Sequence, residues 1–259
     1  MGTVVTKVWD VIVVGGGPAG MMAAARAAAR GRTVLLLEKN KKLGEKLLIT
    51  GGGRCNVTNN KPEVRMMLAQ YKSGGKFLFS AFSQFAVKEA IEFFTARKLA
   101  FKEENDGRMF PRTEKAESVW RVLVEELKKS GVTIKSGRAV MGIEKRGETG
   151  QFVIKLEDNE KIVASSCIVA TGGTSHPETG STGEGFSWLQ RLGHTVIENN
   201  FALVPIALKD SWAKKLGGIT LTDIKLTIFQ DGKKQEDRGP KQKKRSHIGK
   251  LLFTHFGIS

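Results

Sequence analysis

The sequence predicts an α/β fold of Rossmann-like type, and three observations carry that prediction. Two short, continuously apolar runs, 11–14 and 33–37, flank an Ala- and Met-rich stretch, as buried parallel strands flank a helix. Gly15, Gly17 and Gly20 fall in the turn between the first run and that stretch, spaced G-x-G-x-x-G. Further on, short β-rich segments separated by Gly or charged turns read as a small meander that rejoins the main sheet.

Each element follows from its residues. The run VIVV lacks alternation because both faces of a central strand are buried. Pro18 opens a helix over 18–30, and Gly31 closes it at the usual left-handed position. The strand 33–37 completes a βαβ unit. A basic turn, 39–46, leads into the glycine-rich segment LLITGGGRCNVTN, and the stretch 77–98 reads as helical, with its phenylalanines in the core. Residues 116–130 form an amphipathic helix, since Val119, Leu123 and Leu127 recur every four residues among charges. The meander is placed over 132–135, 140–145, 152–156 and 162–170, followed by a short helix in STGEGFSWLQRLG.

Beyond residue 198 the texture changes, which divides the chain into 1–198 and the start of a β-rich domain, 199–259. FALVPIAL and ITLTDIKLTIFQ are strand-like, and the basic tract 231–250 is expected to be an exposed loop. The apolar, uncharged ending LLFTHFGIS is an odd terminus for a folded domain, so a continuation beyond it is expected.

Composition narrows the function. With 40% hydrophobic residues, 259 residues can build a core, which excludes a disordered chain. The 42 Lys and Arg against 26 Asp and Glu give a net charge of +16, a field that attracts polyanions or simply solvates the surface. Cys55 and Cys167 are too few for a disulfide framework and lack metal-ligand spacing, so a cytoplasmic setting without a bound metal is expected. No apolar run approaches the roughly 18 to 20 residues that cross a bilayer.

The glycine turn lets the backbone approach a diphosphate, whose charge is met by the free N–H groups and positive dipole of the helix N-terminus. Pro18 and Ala19 lie in that turn. Glu38 stands at the end of the second strand, 18 residues after Gly20, where a carboxylate accepts ribose hydroxyls and repels a 2′-phosphate. FAD or NAD therefore fits better than NADP at this position. Lys39 and Lys46, the bounds of the basic turn that follows, are further candidate cofactor contacts. Gly51, Gly52 and Gly53 would let the backbone approach a flat ring system, with Arg54 and Asn56 offering donors.

These residues, with GRMFP at 107–111, VATGGTSHPETGSTGEGF at 169–186 and the terminal LLFTHFGIS, resemble the BaiN-like, or aminoacetone-oxidase-type, family of FAD-binding flavoproteins. The resemblance runs through nearly the whole chain. It implies a glutathione-reductase-type FAD domain interrupted by an inserted domain, with Ala139 or Val140 beside adenine, 51–56 toward the flavin, and Thr171, Gly172 and Gly173 closing over the cofactor. It also implies a C-terminal segment that completes the FAD domain; that segment is not in this sequence, and the chain alone is expected to bind or turn over incompletely. Cys55 and His255 are the candidate catalytic groups, with His176 a further candidate proton donor; as a bland alternative, Cys55 is a buried packer.

The expected activity is hydride transfer between FAD and an unsaturated substrate, recharged by NADH or NADPH. Proteins that resemble this chain act on steroid-like molecules, on aminoacetone-like amines or on uridine in ribosomal RNA. RNA contact is expected through the basic tract 233–250, in which Lys233, Lys234, Lys241, Lys243, Lys244, Arg245 and Lys250 cluster. Two other classes remain: an NAD enzyme without flavin, and a nucleic-acid-binding protein that keeps the fold without catalysis.

Overall fold

Alternate residues of the two apolar runs enter opposite cores, which is why neither run shows a polar face. In a computed structural model that describes residues 7–61, 63–71, 74–197, 205–230 and 243–259, Val13 and Leu36 lie in one core and Ile12, Leu35 and Leu37 in the other. The chain divides into two units, Met1–Val196 and Ile197–Ser259.

In chain order the first unit runs β1 (Val8–Val14), α1 (Pro18–Ala28), β2 (Val34–Glu38), α2 (Glu45–Gly53), β3 (Thr58–Asn59), α3 (Val64–Ala69), α4 (Gly75–Phe82), α5 (Val87–Thr95), β4 (Phe101–Glu104), β5 (Arg108–Pro111), α6 (Ala116–Lys129), β6 (Thr133–Ser136), β7 (Val140–Lys145), β8 (Phe152–Leu156), β9 (Lys161–Val169) and α7 (Glu184–Arg191). Six strands form the main sheet in the order β6-β2-β1-β9-β8-β7. β6, β2, β1 and β9 are parallel, while β8 and β7 are antiparallel additions. Met21 and Ala24 of α1 join Val119, Leu123 and Leu127 of α6 in the first core, and Trp188 of α7 closes the second.

Three expectations change. The segment 132–135 is not a meander strand: α6 carries the chain back across the sheet, so β6 pairs in parallel with β2, and the meander is β7-β8-β9 alone. The single helical stretch 77–98 is two helices. α4 ends at Phe82, and α5 starts afresh where the Ala86 N–H donates to the Glu89 carboxylate at 2.8 Å. The phenylalanines are not all core. Phe94 is buried, but Phe77, Phe79 and Phe85 are 89%, 51% and 47% exposed; α4 packs on α3 through Gly75 against Leu68, and Phe82 meets Tyr71. A small sheet, β3-β5-β4, was not anticipated; three charges in FKEE hide the period of β4.

The second unit contains β10 (Ile206–Ala207), α8 (Ser211–Lys215), β11 (Thr220–Gln230), β12 (Lys243–Leu252) and β13 (Gly257–Ile258). β10 pairs with β13, and β11 with β12, both antiparallel. The tract expected as a loop over 231–250 is strand from Lys243 onward, since its alternating residues find a full ladder on β11. Residues 231–242, including Lys233, Lys234 and Lys241, lie outside the described residues, as do 201–204 of FALVPIAL.

Candidate nucleotide-binding site

β1 delivers its last residue, Val14, to a turn built on four glycines, three held by protein neighbours and one open. Gly15 has φ +106°, and a Cβ there would stand 2.4 Å from the Ala170 carbonyl oxygen at the end of β9. A Cβ on Gly20 would stand 1.8 Å from the Gly15 oxygen, so only glycine lets α1 pack against the turn. Gly16, which the fingerprint leaves free, is equally constrained, because its Cβ would meet Leu43 at 2.4 Å. Gly17 differs. It has an ordinary φ of −71°, and a Cβ there would meet nothing within 4 Å.

The open side of Gly17 faces a cavity of about 310 Å³, lined by Gly15, Pro18, Ala19, Glu38, Lys39 and Lys46, by Arg138 and Val140, and by Ala170, Thr171 and Gly172. It lies at the carboxyl ends of β1, β2 and β9, with β2 and β9 the parallel neighbours on either side of β1. The first turn of α1 has neither a side-chain cap nor an acidic residue, so its N–H groups and dipole face the cavity without internal compensation.

Glu38 is 9% exposed, and its two oxygens accept the N–H groups of Gly16 at 2.6 Å and Asn40 at 2.8 Å. The carboxylate thus holds the glycine turn against β2, and each oxygen keeps a second lone pair for a hydroxyl group. Across the cavity, the segment between β9 and α7 is tied to the segment after β2. Asn40 donates to the Thr179 carbonyl at 3.0 Å, Lys39 reaches Thr182 and Glu184 at 3.0 Å each, and Lys46 donates to the Ser175 carbonyl. Desolvation lowers the Lys46 pKa, opposed by the charge of Glu178.

The other expected residues lie elsewhere. Gly51, Gly52 and Gly53 close α2 in left-handed conformations, with Gly51 against the Phe110 ring and Gly52 in open space. Arg54 does not extend a free donor from this turn: its guanidinium lies 4.0 Å over the Phe110 ring and pairs with Glu104 at 2.8 Å and Glu114 at 3.0 Å. Lys102 joins both carboxylates. Asn56, Ala139 and Gly173 do not line the cavity.

Hydrogen bonds from Arg54 and then Lys102 hold the Glu104 carboxyl at about 2, below its ordinary 4.5. A depressed carboxyl contributes stability above its unfolded pKa and loses it as the pH falls through the folded one. The parent is therefore expected to lose stability between pH 4.5 and about 2. Glu104→Gln should be less stable at neutral pH and flatter across that window. Equal acid slopes for the two proteins in urea melts would refute the assignment.

Cys55 is buried in the first core at φ +62°, and burial pushes its thiol pKa up, with a hydrogen bond to Thr50 opposing. Burial alone pushes Cys167 up to about 12. Neither environment favours a thiolate. Cys55→Ala is expected to lower stability by about 1 kcal/mol through lost packing and to leave nucleotide affinity unchanged; a large loss of affinity at parental stability would contradict this. His176 is exposed at φ +54°, 2.7 Å from Glu178. His255 belongs to the second unit, where its ring packs on Phe256 at 4.8 Å.

Asn40, Arg138, Gly180 and Ser181 line or tie this site without having been singled out. Gly180 and Ser181 stand inside the segment 169–186 that carries the family resemblance, whereas nothing in the spacing marks Asn40 or Arg138. Among the described residues, no group of His, Cys, Asp and Glu could hold a metal ion, and no helix is long and apolar enough to cross a membrane.

Residues 9–236 match the HI0933-like protein Rossmann domain. The chain is 30% identical over 222 residues to the 3-dehydro-bile acid delta(4,6)-reductase of Clostridium scindens, covering 86% of this chain and 50% of that protein. It is also 30% identical over 229 residues to the ribosomal RNA dihydrouridine synthase of Escherichia coli, covering 86% and 51%. It thus spans about half the length of these relatives. In fold it is similar to the open conformation of a flavocytochrome c3 fumarate reductase, with a TM-score of 0.58 and 16% identity over 83% of this chain and 47% of that one. A 3-ketosteroid-delta4-(5alpha)-dehydrogenase from Rhodococcus jostii RHA1 is similar with a TM-score of 0.50 and 18% identity over 66% and 47%.

Proposed function

Because the chain belongs to the HI0933-like Rossmann-domain family, we propose that it grips the adenosine diphosphate end of FAD and serves a flavin-dependent oxidoreductase. The observation that carries this reading is the contrast at the turn. Gly15, Gly16 and Gly20 are required by protein neighbours, while Gly17 is open toward the cavity. A diphosphate fits there, against the uncapped first turn of α1.

The residues present fit the rest of the group. Glu38 keeps lone pairs for ribose hydroxyls while its bonds to Gly16 and Asn40 fix its position. Its charge disfavours a 2′-phosphate, and Val140 offers an apolar wall for adenine. The GGGRCN and ATGG segments, which carry the resemblance to flavoproteins, favour FAD over NAD. When bound, FAD supplies hydride acceptance and donation. The chain's own contribution is to bind and orient: the N-terminus of α1 balances the diphosphate charge, and the ties from Lys39, Asn40 and Lys46 hold the segment before α7 across the cavity.

We place the protein in the cytoplasm, with NADH or NADPH as electron donor and an unsaturated carbon–carbon or carbon–nitrogen bond as the acceptor. The name of the Clostridium scindens relative supports a steroid-like enone as substrate. A second reading, reduction of uridine in ribosomal RNA, is supported by the name of the Escherichia coli relative and by the net charge of +16.

The test is to purify the chain, release any bound cofactor by denaturation and titrate FAD into the refolded protein. Flavin absorbance with FAD as the released species is expected. A folded protein that ignores FAD while binding NAD would reject the reading. With a flavin-loaded protein, NAD(P)H consumption driven by an enone supports the first substrate class, and dihydrouridine formed in ribosomal RNA supports the second.

A further inference from the structure

The two-stranded ribbon of β11 and β12 has two unlike faces. Alternation places Lys225, Thr227 and Phe229 on one side of β11, directly opposite Ile248, Ser246 and Lys244 of β12. Lys225, Lys244 and Ser246 are exposed, as are Phe229 at 60% and Ile248 at 80%. The Thr227 and Ser246 hydroxyls are bonded to each other at 3.0 Å across the centre of the face. The Lys244 ammonium lies 5.7 Å over the Phe229 ring. Lys250 continues the same side of β12. The opposite face is more apolar, with Ile224 and Leu226 half-buried.

Such a face, with a flat aromatic ring and a cation side by side at one end and an exposed aliphatic side chain among cations at the other, is complementary to a chain of phosphates and bases. From Lys244 to Lys250 it extends roughly 20 Å, room for several nucleotides. The whole unit carries the same sign, with twelve Lys and Arg against six Asp and Glu over 197–259. An anionic lipid surface would meet the charge but would not need an exposed aromatic ring beside the cations. We infer that this face binds single-stranded nucleic acid, with Lys225, Lys244 and Lys250 on phosphates and Phe229 as the stacking platform for a base.

This surface stands independently of the cofactor reading, and its test uses no flavin. Fluorescently labelled oligo(U) and oligo(dT) of about 12 nucleotides are titrated with the whole chain at several salt concentrations. Phe229→Leu should weaken binding roughly tenfold by removing the stack. The pair Lys225→Ala and Lys244→Ala should lower the slope of log K against log salt by about 1.4, two phosphates at ~0.7 each. Heparin and vesicles of phosphatidylglycerol and phosphatidylcholine separate a base-reading surface from a merely cationic one. Phe229→Leu should leave heparin binding unchanged. Circular dichroism confirms folding of each variant, all of which alter exposed side chains. Oligonucleotide binding that is unaffected by these substitutions, or that weakens in parallel with heparin or vesicle binding, would overturn the assignment.

Discussion

A Gly17→Asp variant is expected to fold as well as the parent and to lose the dinucleotide. Gly17 is the N-cap of α1, with φ −71° and ψ 176°, a conformation any residue adopts, and its Cβ would meet nothing within 4 Å. Asp is among the preferred N-cap residues, and its charge lies at the positive end of the helix dipole; the ligand-free protein should gain about 0.5 kcal/mol. The same carboxylate would occupy the space assigned to the diphosphate and repel it. Like charges some 4 Å apart near a protein surface differ by about 4 kcal/mol, and with screening a loss of FAD affinity of roughly 100-fold is expected. Thermal melts without ligand and calorimetric titration with FAD separate the two effects. Unfolding of the variant, or parental affinity, would contradict the assignment.

Gly20→Ala should do the reverse and damage the fold itself. The added methyl would stand 1.8 Å from the Gly15 carbonyl oxygen and 3.3 Å from the Ala170 side chain, so α1 must move away from β1 and β9. Met21 and Ala24, both fully buried on α1, would move with it. Backbone has no rotamer with which to give way, so the cost falls at the upper end for overpacking, about 3 kcal/mol or ~10 °C in melting temperature. A variant that melts with the parent would show that the turn and helix are less tightly packed than the structure has them.

These two glycines show how far the sequence reaches. The fingerprint places Gly15, Gly17 and Gly20 in one turn and already implies a tight turn, a close approach of backbone to a pyrophosphate and close strand–helix packing; the structure adds the distances, with Gly17 open to a ligand and Gly20 closed by backbone. The βαβ unit and α6 were legible because short apolar runs bounded by glycine turns, and a four-residue repeat among charges, each point to one type of element. The partner of β6 was not legible, since a short apolar strand pairs equally well with a meander or with a parallel neighbour until the crossover of α6 is known. Lys243–Leu252 was hidden by charge, because an exposed ribbon needs no apolar stripe. Arg54 was misdirected for a different reason. Its partners Glu104 and Glu114 lie 50 and 60 residues away, and no local pattern announces an ion pair closed by tertiary contact.

The central claim is that the cavity beside Gly17 holds the diphosphate. It is tested most directly by amide hydrogen exchange of the whole chain with and without saturating FAD. Slowed exchange is expected over 15–20, at 38–40 and over 170–172, where the turn, Glu38 and the end of β9 surround the cavity. Exchange unchanged in these three segments, with FAD bound, would contradict it.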